Sequence, residues 1–460
     1  MKNMKILLLN PESSSREFRD PLLLRCGGVE KKAPYLLPPI GLVYLASLLS
    51  HNFYVEIVDR AIQKKSLEYI KNFDCIIVNV GLSSINEDLK FCRKLKTKKN
   101  VIGLCGGTPA YFSKEVMSKE KEIDFIILNV TPELVKISKE NIKSKNFKGV
   151  ENVCYRKNRE VITNRIVPLR NINKLPSPRY ELLPKGYYDI LAKGKKIAAI
   201  ITSLGCPFSC NFCSANTGRN YSERNLKILF SEIDTLCKNY EDIIFWDDNF
   251  TANKKRCEKI CDYLKTKKIN FRCLSRADGI DYELLKNMKE AGCYQIQFGI
   301  ESGSERMLSL MNKRLNLFKA KKTLKACDML GIETVAFFII GYPGEDKSDI
   351  EKTVKFIKDT NPDFISINNY IKMPGSTDQP KKISEIKNVK KYNETIINKI
   401  YHEYYFNLSY VAARTEKLIR HLDYASLFLK QNIKFWLLKE GKLWKAIRKY
   451  KKIKRGYISK

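Results

Sequence analysis

Short apolar runs alternate with amphipathic segments along residues 1–147, and this alternation predicts the fold of the N-terminal part of the chain. The apolar runs predict β-strands at Lys5–Leu9, Tyr54–Val58, Cys75–Val80, Val101–Cys105 and Phe125–Leu128. Apolar residues at helical spacing predict helices near Ile40–Ser50, Ser66–Asn72, Asn86–Lys96, Phe112–Lys119 and Glu133–Glu140. Apolar strands separated by amphipathic helices are typical of a parallel, doubly wound α/β sheet. Such a sheet binds its ligands at the carboxyl ends of its strands.

Residues 148–194 break this pattern. Val150–Tyr155 and Glu160–Asn164 predict a hairpin that turns near Lys157 and Asn158. The stretch LPSPRYELLP follows, and its prolines favour an extended backbone. We therefore expect a hairpin and a Pro-rich linker between two domains.

The alternation resumes over residues 195–378 and repeats six times. Strands are predicted at Ile197–Thr202, Asp242–Phe245, Phe271–Ser275, Tyr294–Phe298, Thr334–Ile340 and Phe364–Ile367. Helices are predicted after the first five, near Arg224–Tyr240, Lys255–Lys265, Tyr282–Glu290, Lys319–Leu330 and Lys347–Lys358. Six such units predict a partial (β/α)6 barrel with its chemistry at the carboxyl ends of the strands. Residues 379–460 lose the strand signal and predict a helical, basic C-terminal region.

Composition excludes a disordered or fibrous protein, since 44% of the 460 residues are hydrophobic and 29% are charged. The formal net charge of +34 is unusual and indicates an acidic partner. That partner could be a nucleic acid, an anionic membrane surface, or a phosphorylated or carboxylated substrate.

The apolar run Ile6–Leu9 is too short for the core of a signal peptide, and no run is long enough to span a membrane. We therefore expect a cytoplasmic protein. In a large cytoplasmic chain, 14 cysteines indicate metal binding or buried thiols rather than disulfides.

Three cysteines lie close together directly after the first predicted barrel strand, in SLGCPFSCNFCSA. Cys206, Cys210 and Cys213 form a C-x3-C-x2-C pattern on one short loop. A closed zinc site needs about four ligands, and no histidine or fourth cysteine lies nearby. Three thiolates on a four-iron cluster would leave one iron open for a substrate or cofactor. The alternative is three buried cysteines that share a loop by coincidence.

This loop resembles the signature of the radical SAM superfamily, in which an aromatic residue, here Phe212, precedes the last cysteine. The resemblance implies a partial barrel and a 4Fe-4S cluster held by Cys206, Cys210 and Cys213. It also implies that the open iron binds S-adenosylmethionine (SAM), and that one electron cleaves SAM to a 5′-deoxyadenosyl radical. An electron donor of the flavodoxin or ferredoxin type would be a partner.

Residues at the other strand ends fit the same resemblance. Asp247 and Asp248 match the acidic position that contacts the SAM amino group, although the usual Gly-Gly-Glu form is absent. The further SAM contacts that the resemblance implies are Phe212, Arg276, Gly299, Glu301, Ser302, Gly341 and Pro343. The alternatives are helix caps for Asp248 and Ser302 and a surface ion pair for Arg276. A catalytic acid or base is not assigned.

Four stretches of the N-terminal part resemble the cobalamin-binding domain fused to one group of radical SAM enzymes: Leu8–Pro11, Leu37–Ser47, Val80–Ile85 and Leu104–Ala110. The resemblance implies a Rossmann-like domain of the cobalamin-binding type. The cobalamin contacts it implies are Asn10, Pro39, Gly41, Ser83, Ser84, Gly106, Gly107 and Thr108. The D-x-H-x-x-G motif is absent, so cobalamin would bind without a histidine ligand below the cobalt.

Residues 430–460 carry 12 Lys or Arg and one Glu, interleaved with Trp436, Trp444 and other apolar residues. A basic helix with an aromatic face is typical of a membrane-surface anchor. The same charges could bind nucleic acid, or the helix could pack on the barrel with a solvated basic side. No dedicated nucleic-acid module is recognised in the sequence.

The resulting hypothesis is a radical SAM enzyme that functionalises an unactivated carbon by cobalamin-dependent methyl transfer, on a lipid-like substrate. Two alternatives stay open. One is a radical SAM enzyme that catalyses cyclisation or carbon–carbon coupling, and the other is a radical SAM enzyme that modifies RNA. A peripheral position at the inner face of the membrane belongs to the first hypothesis.

Overall fold

A computed structural model of the chain describes residues 4–12, 38–82, 84–185, 188–189, 195–214, 221–387 and 391–421. Its N-terminal part contains a seven-stranded sheet. The strands are β1 (Lys5–Asn10), β2 (Tyr54–Asp59), β3 (Cys75–Asn79), β4 (Val101–Cys105), β5 (Phe125–Ile127), β6 (Val153–Lys157) and β7 (Glu160–Thr163). The helices are α1 (Ile40–Leu49), α2 (Leu67–Lys71), α3 (Ile85–Leu95), α4 (Gly107–Tyr111), α5 (Ser113–Lys119) and α6 (Lys139–Ser144).

The strand order is β2-β1-β3-β4-β5-β6-β7, and the first five strands are parallel. The chain leaves β1 in one direction and β3 in the other, so a crevice opens between these two strands at their carboxyl ends. The predicted doubly wound sheet is confirmed. The hairpin of β6 and β7 extends it with antiparallel strands.

Helix α1 is buried on all sides, since nine of its ten residues are buried. Its apolar residues belong to one core that joins the N-terminal sheet, the linker and the barrel. The linker contacts the helix directly, because the backbone amide of Arg179 donates to the Ser47 hydroxyl at 2.9 Å. This shared burial explains why α1 is apolar around its whole circumference rather than on one face.

Two helices predicted in this part are wrong in detail. The predicted helix Glu133–Glu140 is a 3-10 turn at Pro132–Lys136 followed by α6. It breaks because Ser138 forms a capping box with Asn141, which starts a new helix. The predicted helix Phe112–Lys119 is preceded by a separate short helix, α4. The predicted hairpin is present, with left-handed residues at its turn, but its first strand starts at Val153.

The second sheet also contains seven strands. The strands of this part are β8 (Tyr188–Asp189), β9 (Lys195–Ile200), β10 (Ser203–Leu204), β11 (Ser222–Glu223), β12 (Asp242–Phe245), β13 (Asn270–Ser275), β14 (Cys293–Glu301), β15 (Glu333–Ile340) and β16 (Phe364–Asn369). The helices are α7 (Leu226–Cys237), α8 (Lys254–Lys265), α9 (Tyr282–Glu290), α10 (Glu305–Leu310), α11 (Leu317–Met329), α12 (Lys347–Thr360), α13 (Lys391–Tyr405) and α14 (Leu408–Arg420).

Six strands of this sheet are parallel and neighbour each other in chain order, from β9 through β12 to β16. The short β8 pairs antiparallel to β9 at one edge, and β10 and β11 form a separate two-stranded ribbon. Among the described residues the sheet does not close on itself, as predicted for a partial barrel. The sequence analysis missed α10, a two-turn helix after β14.

Helices α13 and α14 pack on the edge strand β16 and on the end of the barrel at which β15 and β16 begin. The hydroxyls of Tyr401 and Tyr405 accept hydrogen bonds from the amides of Ile367 and Ile365 in the edge strand β16. These bonds satisfy edge amides that would otherwise be open to another chain. Residues 430–460, for which an aromatic basic helix is predicted, lie outside the described residues.

Two findings concern all of the described ranges. The thirteen cysteines found there are free thiols. In the same ranges, no helix is both long and apolar enough to cross a bilayer.

Candidate active site

The three cysteines lie on the loop between β10 and β11, beyond the carboxyl end of β9, the first barrel strand. Cys210 is buried, and Cys206 and Cys213 are half-buried. Burial raises the pKa of the Cys206 and Cys210 thiols. Without a metal the loop therefore holds thiols, and binding a metal centre there releases protons.

The three cysteines provide the donor set for a metal cluster. In the described part of the chain, no three His, Cys, Asp or Glu side chains are placed to hold one metal ion. A four-iron cluster takes each thiolate on a different iron, so the sulfur atoms need not meet at one point. The donor set of three thiolates on one loop fits such a cluster.

Asp247, at the end of β12, holds the entrance of this loop. The side chain is fully buried, and one oxygen accepts from the Thr202 amide at 2.6 Å. The other oxygen accepts from the Thr202 and Ser203 hydroxyls, each at 2.6 Å. Burial raises the pKa of Asp247, and these hydrogen bonds oppose that shift. Both oxygens are thus engaged in positioning the chain that leads to Cys206.

Asp248 takes the position that faces the cysteines. Its side chain is half-buried, and its charge adds to burial in raising the pKa of Cys206. Of the two neighbouring acidic residues, Asp248 is therefore the one whose charge acts on the cluster loop.

Residues 310–314, which we call the support loop, hold the cluster loop from the other side. The Asn211 amide donates to the Met311 carbonyl at 2.9 Å, and the Asn211 side chain donates to the Leu310 carbonyl at 3.0 Å. The Asn312 side chain donates to the carbonyl and hydroxyl of Ser209 at 2.8 and 3.2 Å. The sequence analysis gave the support loop no role, because its residues are distant in sequence from the cysteines.

A buried ion pair lies beside the two loops. Lys313 donates to the Glu301 carboxylate at 3.1 Å, and both side chains are buried. Burial would lower the pKa of Lys313, but the charges of Glu301 and Cys210 outweigh it, so the pKa is raised. Gly299 leaves room for the pair, because a Cβ there would lie 2.5 Å from the Glu301 oxygen. The space above Gly299, expected to admit a ligand, holds this pair.

Arg276 is committed to the protein rather than free for a cofactor. Its guanidinium binds both oxygens of Asp278, at 3.1 and 3.0 Å, and donates to the Lys313 carbonyl at 2.9 Å. It also lies 3.9 Å from the ring centroid of Phe208, which is in the cluster loop. The pair with Asp278 is a buried one, not the surface ion pair considered as an alternative.

Ser302 faces away from the barrel mouth. It is fully buried, its hydroxyl lies 3.1 Å from that of Thr353 in α12, and it accepts from the Ser304 amide. It therefore joins the end of β14 to α12. Glu301, just before it, has a left-handed φ of 72° and follows a bulge in the strand register. Strained residues of this kind are concentrated at functional sites.

Gly341 and Pro343, at the end of β15, are exposed at the barrel mouth. The Gly341 amide donates to Glu345, whose pKa burial raises to about 7. Tyr342, between the two predicted contacts, is buried. It belongs to an apolar group beside the cluster loop that we call the mouth cluster: Phe212, Met307, Met311, Ile339, Tyr342 and Tyr370.

Polar side chains meet at the carboxyl edge of the N-terminal sheet. The side-chain amide of Asn10 donates to the Asp59 carboxylate at 3.0 Å, and the side-chain amide of Asn79 donates to the side-chain oxygen of Asn10 at 3.3 Å. These residues end three neighbouring strands, β2, β1 and β3, beside the crevice between β1 and β3. His51 is exposed just before β2, at the opposite edge of the sheet.

The other residues predicted to contact cobalamin follow the strands or begin the helices at this edge, as far as the structure describes them, and several hold the local backbone in place. The Ser84 hydroxyl donates to Asp88 at 2.8 Å. Gly106 has a φ of 114°, and a Cβ there would lie 2.5 Å from the Val80 carbonyl. Ser83 lies outside the described residues. The rest are buried where α1 and α4 begin: Pro39, Gly41, Gly107 and Thr108.

The carboxyl edge of the N-terminal sheet adjoins the barrel mouth. Ile371, Met373, Ile383 and Ile386, which follow the last barrel strand, pack on the core of the N-terminal sheet. Two cavities of about 390 and 320 Å³ lie at this junction. Both are lined by Tyr111, Phe112 and Lys381, so they lie between α4 and the segment after β16.

A partial barrel with a three-cysteine loop at the carboxyl end of its first strand defines a radical SAM domain. Residues 200–357 match the Radical SAM superfamily. A protein named as an uncharacterised methyltransferase, from Pyrococcus horikoshii, is 30% identical over 394 residues, 82% of each chain. The chain therefore belongs to the radical SAM superfamily and is a radical SAM enzyme.

Two further similarities concern the whole two-domain arrangement. An anaerobic magnesium-protoporphyrin IX monomethyl ester cyclase from Cereibacter sphaeroides is 24% identical, over 76% of this chain and 60% of its own. The structure of the radical SAM methyltransferase TsrM from Kitasatospora setae, with cobalamin and a [4Fe-4S] cluster bound, has a TM-score of 0.64. It is 15% identical and covers 82% of this chain and 77% of its own, which shows a shared fold.

Family membership brings a 4Fe-4S cluster and SAM to this chain. The geometry fits the cluster, because the support loop and Asp247 fix the cysteine loop at the barrel mouth. Of the SAM contacts that the sequence predicted, Phe212, Asp248, Glu301, Gly341 and Pro343 lie at the mouth. Asp247, Arg276 and Ser302 hold the surrounding loops, and Gly299 lies against the Lys313–Glu301 pair. All nine residues stay predictions as SAM contacts.

Proposed function

We propose that this chain is a cobalamin-dependent radical SAM methyltransferase that methylates an unactivated carbon. The observation that carries the proposal is the junction where the carboxyl edge of the N-terminal sheet meets the barrel mouth. Parallel sheets bind ligands at this edge, so a cofactor held there lies next to the cluster loop. The similarity to a protein named as a methyltransferase, and to a structure that holds cobalamin, supports the same assignment.

The edge residues suit a corrin bound without a histidine below the cobalt. The edge offers amide and carboxylate groups in Asn10, Asp59 and Asn79, while His51 is at the far edge. In this proposal Asn10, Pro39, Gly41, Ser83, Ser84, Gly106, Gly107 and Thr108 surround the cofactor. When bound, the cluster supplies one electron to SAM and cobalamin carries the methyl group.

The mouth cluster supports a substrate whose reacting part is apolar and lipid-like. Met307, Met311 and Tyr342 are buried together, and Phe212 and Tyr370 pack against them. Apolar side chains exclude water from a site where a reactive intermediate must be protected. Burial raises the pKa of Tyr370 to about 12, so the phenol is protonated and can donate a hydrogen bond to a substrate.

The experiment uses protein purified without oxygen and reconstituted with iron, sulfide and cobalamin. After gel filtration, a corrin absorption band is expected with the protein, and reduction with SAM should release 5′-deoxyadenosine. With SAM that carries a deuterated methyl group, we expect the label in the bound corrinoid. A corrinoid that stays unlabelled while SAM is cleaved would favour cyclisation, the second candidate, which the similarity to the cyclase supports.

Cys210→Ala is expected to abolish both SAM cleavage and the iron signal. Cys237→Ala is the matched control, because Cys237 lies on α7, away from the cluster loop. Cleavage retained by Cys210→Ala would overturn the cluster assignment.

We also propose that residues 430–460 place the enzyme at an anionic membrane surface and that a flavodoxin- or ferredoxin-type protein supplies the electron. This segment has 12 basic residues and one Glu, and this positive charge supports contact with anionic lipid. The protein is expected to float with liposomes that contain phosphatidylserine, and a chain cut after residue 429 is not. Equal flotation of the two proteins would remove the membrane proposal without touching the enzyme activity.

A further inference from the structure

The cluster loop has a buried positive charge beside it that the family assignment does not use. Lys313 is buried, and its Nζ lies 3.1 Å from the Glu301 carboxylate and 6.0 Å from the ring centroid of Phe212. Phe212 directly precedes the cluster ligand Cys213. The ammonium is thus located against the loop that carries the three thiolates.

The support loop holds Lys313 in this place with an unusual backbone. The residues on either side, Asn312 and Arg314, both have left-handed φ values of 49°. The Lys313 carbonyl accepts from Arg276, and the Asn312 side chain binds Ser209 in the cluster loop. Two left-handed residues in three are uncommon outside glycine. The backbone therefore aims the Lys313 side chain inward.

The two charges of the pair act on the cluster loop with opposite signs, and each is held in place. The support loop fixes Lys313 through the bonds above, and Glu301 is fixed at the register shift of β14 with a φ of 72°. Removing either charge alone therefore tests its own contribution.

We propose that Lys313 tunes the cluster electrostatically, and that its charge raises the reduction potential of the 4Fe-4S cluster. Reduction adds one electron from an external donor and makes and breaks no bond. A nearby positive charge stabilises the added negative charge, and it does so strongly where burial excludes water. Glu301 has the opposite effect, because its negative charge partly offsets the field of the lysine. The inference requires the cluster but not cobalamin or the methyl transfer proposed above.

The test measures the cluster directly. Protein reconstituted with iron and sulfide, without cobalamin, is titrated with dithionite and low-potential mediators, and the reduced cluster is followed by electron paramagnetic resonance. At the potential where the wild type is half reduced, Lys313→Met should lower the ratio of reduced to oxidised cluster about tenfold. That ratio corresponds to about 59 mV for a one-electron couple.

Two variants serve as controls. Lys319→Met removes the same charge from an exposed position six residues away, and it should leave the ratio unchanged. Lys313→Arg keeps the charge and should restore most of the wild-type ratio. An equal fall in Lys313→Met and Lys319→Met, or no fall in either, would overturn the proposal.

A second variant, whose expected change in the ratio has the opposite sign, keeps the test decisive if Lys313→Met does not retain its cluster. Glu301→Gln removes the negative partner and should raise the ratio of reduced to oxidised cluster about threefold. A ratio that stays the same or falls in Glu301→Gln contradicts the proposal. Because the readout is the cluster alone, a failed methyl-transfer assay has no bearing on it.

Discussion

The carboxylate of Asp247 accepts two hydrogen bonds from Thr202, one from the backbone amide and one from the hydroxyl, each at 2.6 Å. This contact fixes the end of β9 against the end of β12, directly before the three cysteines. The two acidic residues after β12 thus have different roles. Asp247 holds the chain that leads into the cluster loop, and Asp248 lies beside that loop.

Replacing Asp247 should loosen the cluster loop. Asp247→Ala leaves the Thr202 amide and two hydroxyls without their acceptor, and each such buried donor costs about 1–3 kcal/mol. We expect a loss of about 2–4 kcal/mol in the free energy of unfolding and a lower iron content after reconstitution. Urea unfolding and iron analysis measure both. Asp248→Ala is the control and should keep its stability; an equal loss there would contradict this division of roles.

Adding one methyl group at Gly299 should displace the Lys313–Glu301 pair. The new Cβ of Gly299→Ala would lie 2.5 Å from the Glu301 oxygen and 3.1 Å from the Lys313 nitrogen. We expect a loss of about 1–3 kcal/mol in the free energy of unfolding. Gly279→Ala is the control, because nothing lies within 4 Å of its Cβ position. If Gly299→Ala and Gly279→Ala are equally stable, the Lys313–Glu301 ion pair can move aside without a loss in the free energy of unfolding.

Glu345 should make the stability depend on pH near neutrality. Its pKa in the folded state, about 7, exceeds the ordinary 4.5, because burial favours the protonated form. Between these values the folded protein holds a proton that the unfolded chain has lost, so stability falls as pH rises through this window. Glu345→Gln should be more stable than the wild type at pH 8 by on the order of 2 kcal/mol.

The measurement for Glu345 compares urea unfolding at pH 5 and pH 8. At pH 5 the two proteins should differ little, because the wild-type carboxyl is then protonated in the folded state. Glu351→Gln, on the exposed surface of α12, is the control and should show no such pH dependence. A wild type whose stability is flat from pH 5 to 8 relative to Glu345→Gln counts against the raised pKa.

The N-terminal sheet should not tolerate a side chain at Gly106. Gly106→Ala combines a φ of 114° with a Cβ 2.5 Å from the Val80 carbonyl. Gly149 has a φ of 80° but nothing within 4 Å, so Gly149→Ala measures the backbone strain alone. We expect Gly106→Ala to be less stable by about 1–3 kcal/mol than this control. If cobalamin binds at this edge, the corrin band should also fall in Gly106→Ala only.

Helix α14 should be an integral part of the barrel. Lys417 and Asp363 are both buried, and the Lys417 nitrogen lies 2.8 Å from the carboxylate. Arg414 binds the same carboxylate. Lys417→Met removes one partner of a buried pair, which costs about 3–5 kcal/mol. Thermal unfolding measures the loss, and Lys399→Met, on the exposed side of α13, should show none. If Lys417→Met unfolds at the same temperature as the wild type, α14 does not contribute to the stability of the barrel.

The sequence determined the elements and the chemistry that is written locally. Apolar runs and helical spacing placed the parallel strands of both sheets to within a few residues, because burial on both faces demands continuous apolar residues. The C-x3-C-x2-C loop was identifiable because its three ligands lie within eight residues of each other. The break near Ser138 was missed, since a capping box depends on which of several polar residues is placed to bond the backbone.

Only the tertiary structure decided which polar residues at the strand ends face the site. Asp247, Arg276 and Ser302 follow their strands as SAM contacts should, yet each is engaged by residues from other elements. Lys313 carries no local motif, and it reaches the cysteine loop because the support loop folds back by about 100 residues of sequence. Side-chain direction at a strand end depends on packing against distant segments, and the sequence alone does not contain that geometry.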